Sequence, residues 1–187
     1  MMFFGMHPGH NIALLTSLSS LMALVGRPKP PETVPHVDLE RYAGRWFQIA
    51  GYPFEPSKNL VGITAEYTLR TDGQIEVINR GFLKTFEGPE RTIEGLARIT
   101  DPVTNAKLAV SFPSVSGKEF EGQYWIVMLD DAYRYAVVSD ALRLTLFILS
   151  RTPTLDDLQY RRIIRSLSAR GFDPQRIFSI AQEPAVK

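Results

Sequence analysis

The chain has 187 residues, room for one domain with a tail and too few for two domains of ordinary size. It is 44% hydrophobic and 22% charged, so it can bury a core, and a formal net charge of +1 excludes nucleic-acid binding as a primary role. Cysteine is absent, and the three histidines (His7, His10 and His36) all precede the expected folded domain, which removes disulfides, thiolate chemistry, a Ser-His-Asp triad and His-ligated metal or haem from it.

In chain order, the first 26 residues carry no Lys, Arg, Asp or Glu, and 12–25 is an apolar run of 14. A bilayer span needs about 20 such residues, so the run suits a signal-peptide core. The usual basic flank is missing, and a hydrophobic helix packed on the domain is the other reading. Leu24-Val25-Gly26 resembles the end of a bacterial lipoprotein signal, but Arg27 stands where the lipidated Cys would be. A periplasmic or cell-envelope location without a lipid anchor is the expectation. Secretion stays possible, and so does retention of the leader as an anchor. Residues 27–36 are proline-rich and read as an extended tether, the domain as 37–183 and the tail as 184–187.

From residue 37 the pattern is mostly period two. One helical turn at 38–42 precedes expected strands at 46–52, 63–69, 74–82, 91–100, 107–112, 123–129, 135–139 and 145–150. Thr71-Asp72-Gly73 is hairpin chemistry. Eight strands at near-regular spacing imply an all-β up-and-down antiparallel barrel or a sandwich. One helix follows at about 155–170, with Thr154 as N-cap, Leu155, Leu158, Ile163, Ile164 and Leu167 as its apolar face, and Gly171 as its stop. It should lie outside the sheet, with a last short strand at 177–180.

A constellation then ties the series together. Gly44 and Trp46 open the first strand, Asp130 follows Trp46 by 84 positions at the end of the seventh expected element of the pattern, and Arg151 follows it by 105. A Trp there can plug one barrel end. An Arg from the last strand can cover the indole and bond nearby carbonyls, Gly44 can let the turn pass closely, and Asp130 can accept bonds in the adjoining hairpin. These roles identify a fold and perform no chemistry.

The pattern resembles the lipocalins, and among them the bacterial outer-membrane lipocalins similar to apolipoprotein D. It covers about 36–183 and is carried by YAGRWFQIA at 42–50, YTLRTDG at 67–73, VINRG at 77–81, YWIVMLD at 124–130 and ILSRTP at 148–153. The resemblance implies an eight-stranded barrel with one C-terminal helix, closed at one end. It also suggests which positions face inward: Ala65, Tyr67, Leu69, Val77, Asn79, Ile93, Gly95, Leu108, Val110, Phe112, Tyr124, Val138 and Phe147. This apolar and aromatic set would line a lipid-chain cavity. Tyr124 and Asn79 offer hydrogen bonds to a headgroup, and Lys84 and Arg91 flank a loop expected on the open side.

The implied function is binding, transport or storage of a fatty acid or lysophospholipid in envelope lipid maintenance. No catalytic residue, cofactor or metal site is implied, since phosphate loops, nucleophile elbows and metal spacings are missing from the sequence. The rivals are a lipid- or isoprenoid-modifying enzyme on the same barrel and a structural surface protein with a filled barrel. The expected partner is a lipophilic small molecule, with membrane association and a dimer both possible.

Overall fold

Alternation of apolar and polar side chains builds the wall of the molecule. The computed structural model describes residues 29–113 and 120–183; the leader-like residues and the tail at 184–187 lie outside the described residues. After a single helical turn, α1 (Leu39–Tyr42), come β1 (Gly44–Gly51), β2 (Leu60–Leu69), β3 (Ile75–Leu83), β4 (Glu90–Ile99), β5 (Lys107–Phe112), β6 (Phe120–Leu129), β7 (Tyr135–Ser139) and β8 (Leu146–Ser150). Neighbouring strands pair antiparallel in sequence order. β1 pairs with both β2 and β8, and this closes the barrel. Helix α2 (Asp157–Ala169) follows, and a two-residue strand, β9 (Phe178–Ser179), lies beside β1 at Ala50 and Gly51.

The apolar residues separate into two cores. Trp46, Tyr42, Tyr67, Val77, Leu108, Val110, Ile126 and Val138 pack inside the barrel. Ala50, Val127, Val137, Leu146 and Ile148 pack outside it against Ile163 and Leu167 of α2. Both sides of this part of the wall are thus buried. Two register shifts make that possible, between Gln48 and Ala50 and between Ile126 and Met128. A bulge of this kind reverses the in-out alternation beyond it. Trp46 therefore points inward while Ala50, four residues on, faces the helix.

Helix α2 begins later than expected. Its N-cap is Asp156, whose carboxylate accepts from Gln159 N at 2.9 Å; Thr154 instead offers its carbonyl to Thr152 Oγ1 at 2.6 Å. Leu158 is exposed, being five positions from Ile163 and so off the buried stripe. Gly171, at φ +80, ends the helix, and Phe172 N–H closes back on Leu167 O at 3.0 Å.

The proline-rich stretch is extended, but from Lys29 onward it lies against the barrel rather than free of it. Lys29 O accepts from Arg143, Val34 N–H donates to Ile126 O at 3.0 Å, and Val37 N–H donates to Thr104 O at 2.8 Å. It runs as a strap from one barrel end to the other, and the buried Val37 is part of the floor.

Candidate functional site

One end of the barrel is sealed by a few side chains. Trp46 is wholly buried, and its indole N–H donates to Tyr42 O at 2.8 Å. The Arg151 guanidinium carbon lies 3.8 Å from the indole ring centroid. That guanidinium also donates to Arg45 O (2.8 Å), Arg41 O (2.7 Å), Tyr42 O (3.1 Å) and Ala43 O (2.9 Å). Three of these carbonyls end the short turn α1, where no further helical N–H exists to meet them, so Arg151 serves as its C-terminal cap. Gly44 is needed for its backbone, at φ +86, rather than for close passage: an added Cβ would meet nothing nearer than Arg151 at 3.5 Å. Asp130 accepts from Ala132 N and from both the backbone and the side chain of Arg134, and the Arg134 side chain holds its carboxyl below the usual range.

Ladder partners share a face, so register assigns the interior. Trp46, Ala65, Asn79 and Ile93 form one row across four strands, and Tyr67, Val77 and Gly95 form another. Leu69, Ile75, Ala97 and Val110 form a third, and Leu108 stands opposite Tyr124. Ile126, Val138 and Phe147 complete the far wall. Phe112 packs on Gly95, where any Cβ would come within 2.6 Å of its ring.

The closed half of this interior is nearly full. The void between α1 and strands β2 to β6 measures about 10 Å³, room for roughly one water. Three tyrosines border it. The Tyr124 hydroxyl lies 2.7 Å from that of Tyr42 and 2.9 Å from that of Tyr67. Three hydroxyls carry three protons, and two bonds spend two of them. One O–H donor therefore stays over, whichever way the chain is oriented. Burial raises all three phenols, Tyr67 to about 12 and Tyr42 and Tyr124 well above their ordinary value. They are neutral donors at any physiological pH.

Toward the other end the interior opens. Asn79 is half-buried and Ile93 is 42% exposed although it faces inward. Phe54, from the loop after β1, meets Phe147 edge to face at 5.7 Å. Lys84 and Arg91 are exposed on the β3–β4 hairpin at this end. Pairing of β4 with β5 begins only at Leu96 and Ser111. A recess of about 310 Å³ lies there, lined by Glu76, Glu94, Gly95, Leu96, Ser111, Phe112 and Pro113. Residues of both sheet faces border it, which makes it a notch in the wall.

Residues 37–182 match the family model of the lipocalin-like domain. This chain is a lipocalin. It is 36% identical to the outer membrane lipoprotein Blc of Citrobacter freundii, over 88% of this chain and 92% of that protein. It is 35% identical to temperature-induced lipocalin-1 of Arabidopsis thaliana, over 82% of this chain and 84% of that protein. Among solved structures, insecticyanin from the tobacco hornworm Manduca sexta superposes with a TM-score of 0.67 at 21% identity, covering 84% of this chain and 85% of that one. That likeness shows the fold.

The lipocalin reading of the sequence brings Trp46, Gly44, Arg151 and Asp130 to one end, where all four stand. Of the thirteen expected cavity residues, Ala65, Tyr67, Val77, Leu108, Val110 and Val138 are buried in the inner core, with Phe112, Tyr124 and Phe147 against it. Leu69 borders the floor void, whereas Asn79, Ile93 and Gly95 belong to the open half. Tyr124 is committed to its two tyrosine neighbours and is not a free headgroup ligand. Several inner residues escaped sequence reasoning, Ile75, Ala97 and Ile126 of the wall among them, and two of those missed carry polar groups. Tyr42 reads as part of a helical turn but supplies a hydroxyl to the floor. Gln48 is buried on the inner side opposite Leu149; its place on the Trp46 side of strand one was the available signal.

Proposed function

We propose that this lipocalin binds and carries or stores a single-chain lipid, a fatty acid or lysophospholipid, in its barrel. The observation that carries the reading is the contrast between the two halves of the interior. The floor is packed and polar only at the tyrosines; the upper wall is mostly apolar, with Asn79 and Gln48 its polar members, opens at Ile93 and is notched beside Gly95. A chain can lie along such a wall with its headgroup at the mouth, near Lys84 and Arg91. Residues 1–26 act in this reading as an export leader, and the absence of Cys at position 27 leaves the protein unlipidated in the envelope. The name of the Citrobacter relative, an outer membrane lipoprotein, supports an envelope location. The small floor void favours one other reading, a barrel filled by its own side chains.

Mass spectrometry of organic extracts of the purified protein, with titration of fatty acids and lysophospholipids, tests this. Co-purifying lipid and saturable binding that Ile93→Trp weakens are the expected results. A protein that extracts empty and binds no chain of any length is a filled barrel. Chemical turnover of the added lipid would instead make it an enzyme.

A further inference from the structure

The loop joining β7 and β8 is built inside out. Its sequence is Asp140-Ala141-Leu142-Arg143-Leu144-Thr145, at the open end of the barrel. A loop in water ordinarily turns its charge outward and its leucines inward. Here Leu142 is 69% exposed and Leu144 is 60% exposed. Arg143 between them folds back on the protein. Its guanidinium donates to Lys29 O at 2.9 Å and to Arg170 O at 3.2 Å, and lies 5.5 Å from the Phe172 ring centroid.

The arrangement is held in place. The Asp140 carboxylate accepts from Leu142 N (2.7 Å), Leu144 N (3.2 Å), Thr145 N (2.6 Å) and Thr145 Oγ1 (2.7 Å). Arg143 itself sits at φ +58, in the left-handed region that few side chains adopt. A strained backbone pinned at four points, presenting two leucines to water, needs an apolar partner to make physical sense.

We infer that this loop docks the mouth of the barrel on an anionic lipid bilayer, with Leu142 and Leu144 inserted among the acyl chains and the nearby guanidiniums over the lipid phosphates. Three observations choose a bilayer. First, among the described residues no carboxylate lies within 4 Å of Arg143, Arg170 or Arg176. Glu32, close by, is already paired with Lys29 at 2.9 Å. The exposed Arg170, which donates to Val127 O at 2.9 Å, and Arg176, 4.2 Å from the Tyr52 ring centroid, therefore carry charge that no contacting carboxylate offsets, which anionic headgroups complement. Second, the loop stands at the open end of the barrel, where a chain passing between bilayer and cavity would enter. Third, two leucines fall far short of the roughly 800 Å² per partner that a stable protein interface buries, yet suffice for shallow interfacial insertion. The proposal rests on the lipid-carrier reading and deepens it: the ligand would pass between membrane and barrel without crossing water.

The chain has no cysteine, so a single one can be labelled cleanly. The test places a polarity-sensitive dye on Leu142→Cys, and on Val103→Cys in the closed-end loop, a position 82% exposed. Each full-length protein is mixed with phosphatidylcholine vesicles, with and without phosphatidylglycerol. The expected result is a blue shift at position 142 with anionic vesicles and none at 103. Leu142→Ser with Leu144→Ser should lower vesicle partitioning about tenfold or more. An unshifted dye at 142 on vesicle-bound protein would overturn the inference, as would equal shifts at both positions. A label buried by self-association without vesicles would assign the loop to a second copy of the chain. Fatty-acid titration of the same variants in vesicle-free buffer separates this outcome from failure of the carrier reading, since the loop substitutions should leave that affinity unchanged.

Discussion

Arg151 joins four hydrogen bonds and a cation–π contact at the closed end. Replacing it with Ala removes the indole contact and takes a donor from four carbonyls, of which Tyr42 O keeps the Trp46 indole N–H. Stability in urea unfolding should fall by about 2–4 kcal/mol, and Arg151→Lys should recover only part, because an ammonium cannot lie flat on the indole. The tyrosine trio predicts an alkaline limit. An unfolded tyrosine ionises near pH 10, roughly. Burial, first, and the mutual proximity of the phenols raise Tyr42 and Tyr124 well above this, and burial raises Tyr67 to about 12. A raised folded value means stability is complete below about pH 10 and is lost as pH climbs through the folded values, by about 1.4 kcal/mol per pH unit for each phenol. Absorbance at the phenolate band should show these tyrosines titrating only as the near-ultraviolet dichroism collapses. If they ionise in the folded protein, the floor is wet. Tyr124→Phe should cost more than Tyr67→Phe, since it strands both outer hydroxyls.

The elements differ in how legible they were. The strands could be read because alternation and turn chemistry act locally: Thr71-Asp72-Gly73 forms its hairpin with Gly73 at φ +82. The two register shifts could not be read. They are decided by what lies across the ladder and behind it, and the sequence from Trp46 to Gly51, apolar but for Gln48, carries no mark of one. The cap of α2 was misread as Thr154 for a different reason. Asp156, two residues on, suits the role equally well, and only the bond from Gln159 N to its carboxylate selects it. Asp156→Ala should therefore cost about 1 kcal/mol by thermal unfolding, and Thr154→Ala much less. Composition marked 27–36 as extended, but nothing in its prolines states that Val34 meets the Ile126 carbonyl, which Ala106 leaves available by turning its own N–H to Thr104 Oγ1. The candidate site followed the same division. Its walls came from strand alternation with the inward parity supplied by the lipocalin resemblance; its closed floor, which depends on three tyrosines from three elements, did not.

Across the whole molecule, a filled floor shortens the usable barrel. Each added CH₂ of a bound chain should strengthen binding by up to about 0.8 kcal/mol until its tail meets the packed floor of Trp46 and the tyrosines, and further lengthening should then do nothing. Calorimetric titration of a graded fatty-acid series checks this, and Ala65→Trp, on the Trp46 row, should move the plateau to shorter chains. The two tryptophans also divide the molecule optically. Trp46 emits from within the packed floor of the barrel, covered by Arg151, whereas Trp125 sits in the outer core with Lys107 4.3 Å from its ring. Removing the outer emitter as Trp125→Phe leaves one lamp inside the vessel. Its colour and brightness should then follow filling of the barrel directly, and stay indifferent to whatever touches the outside wall.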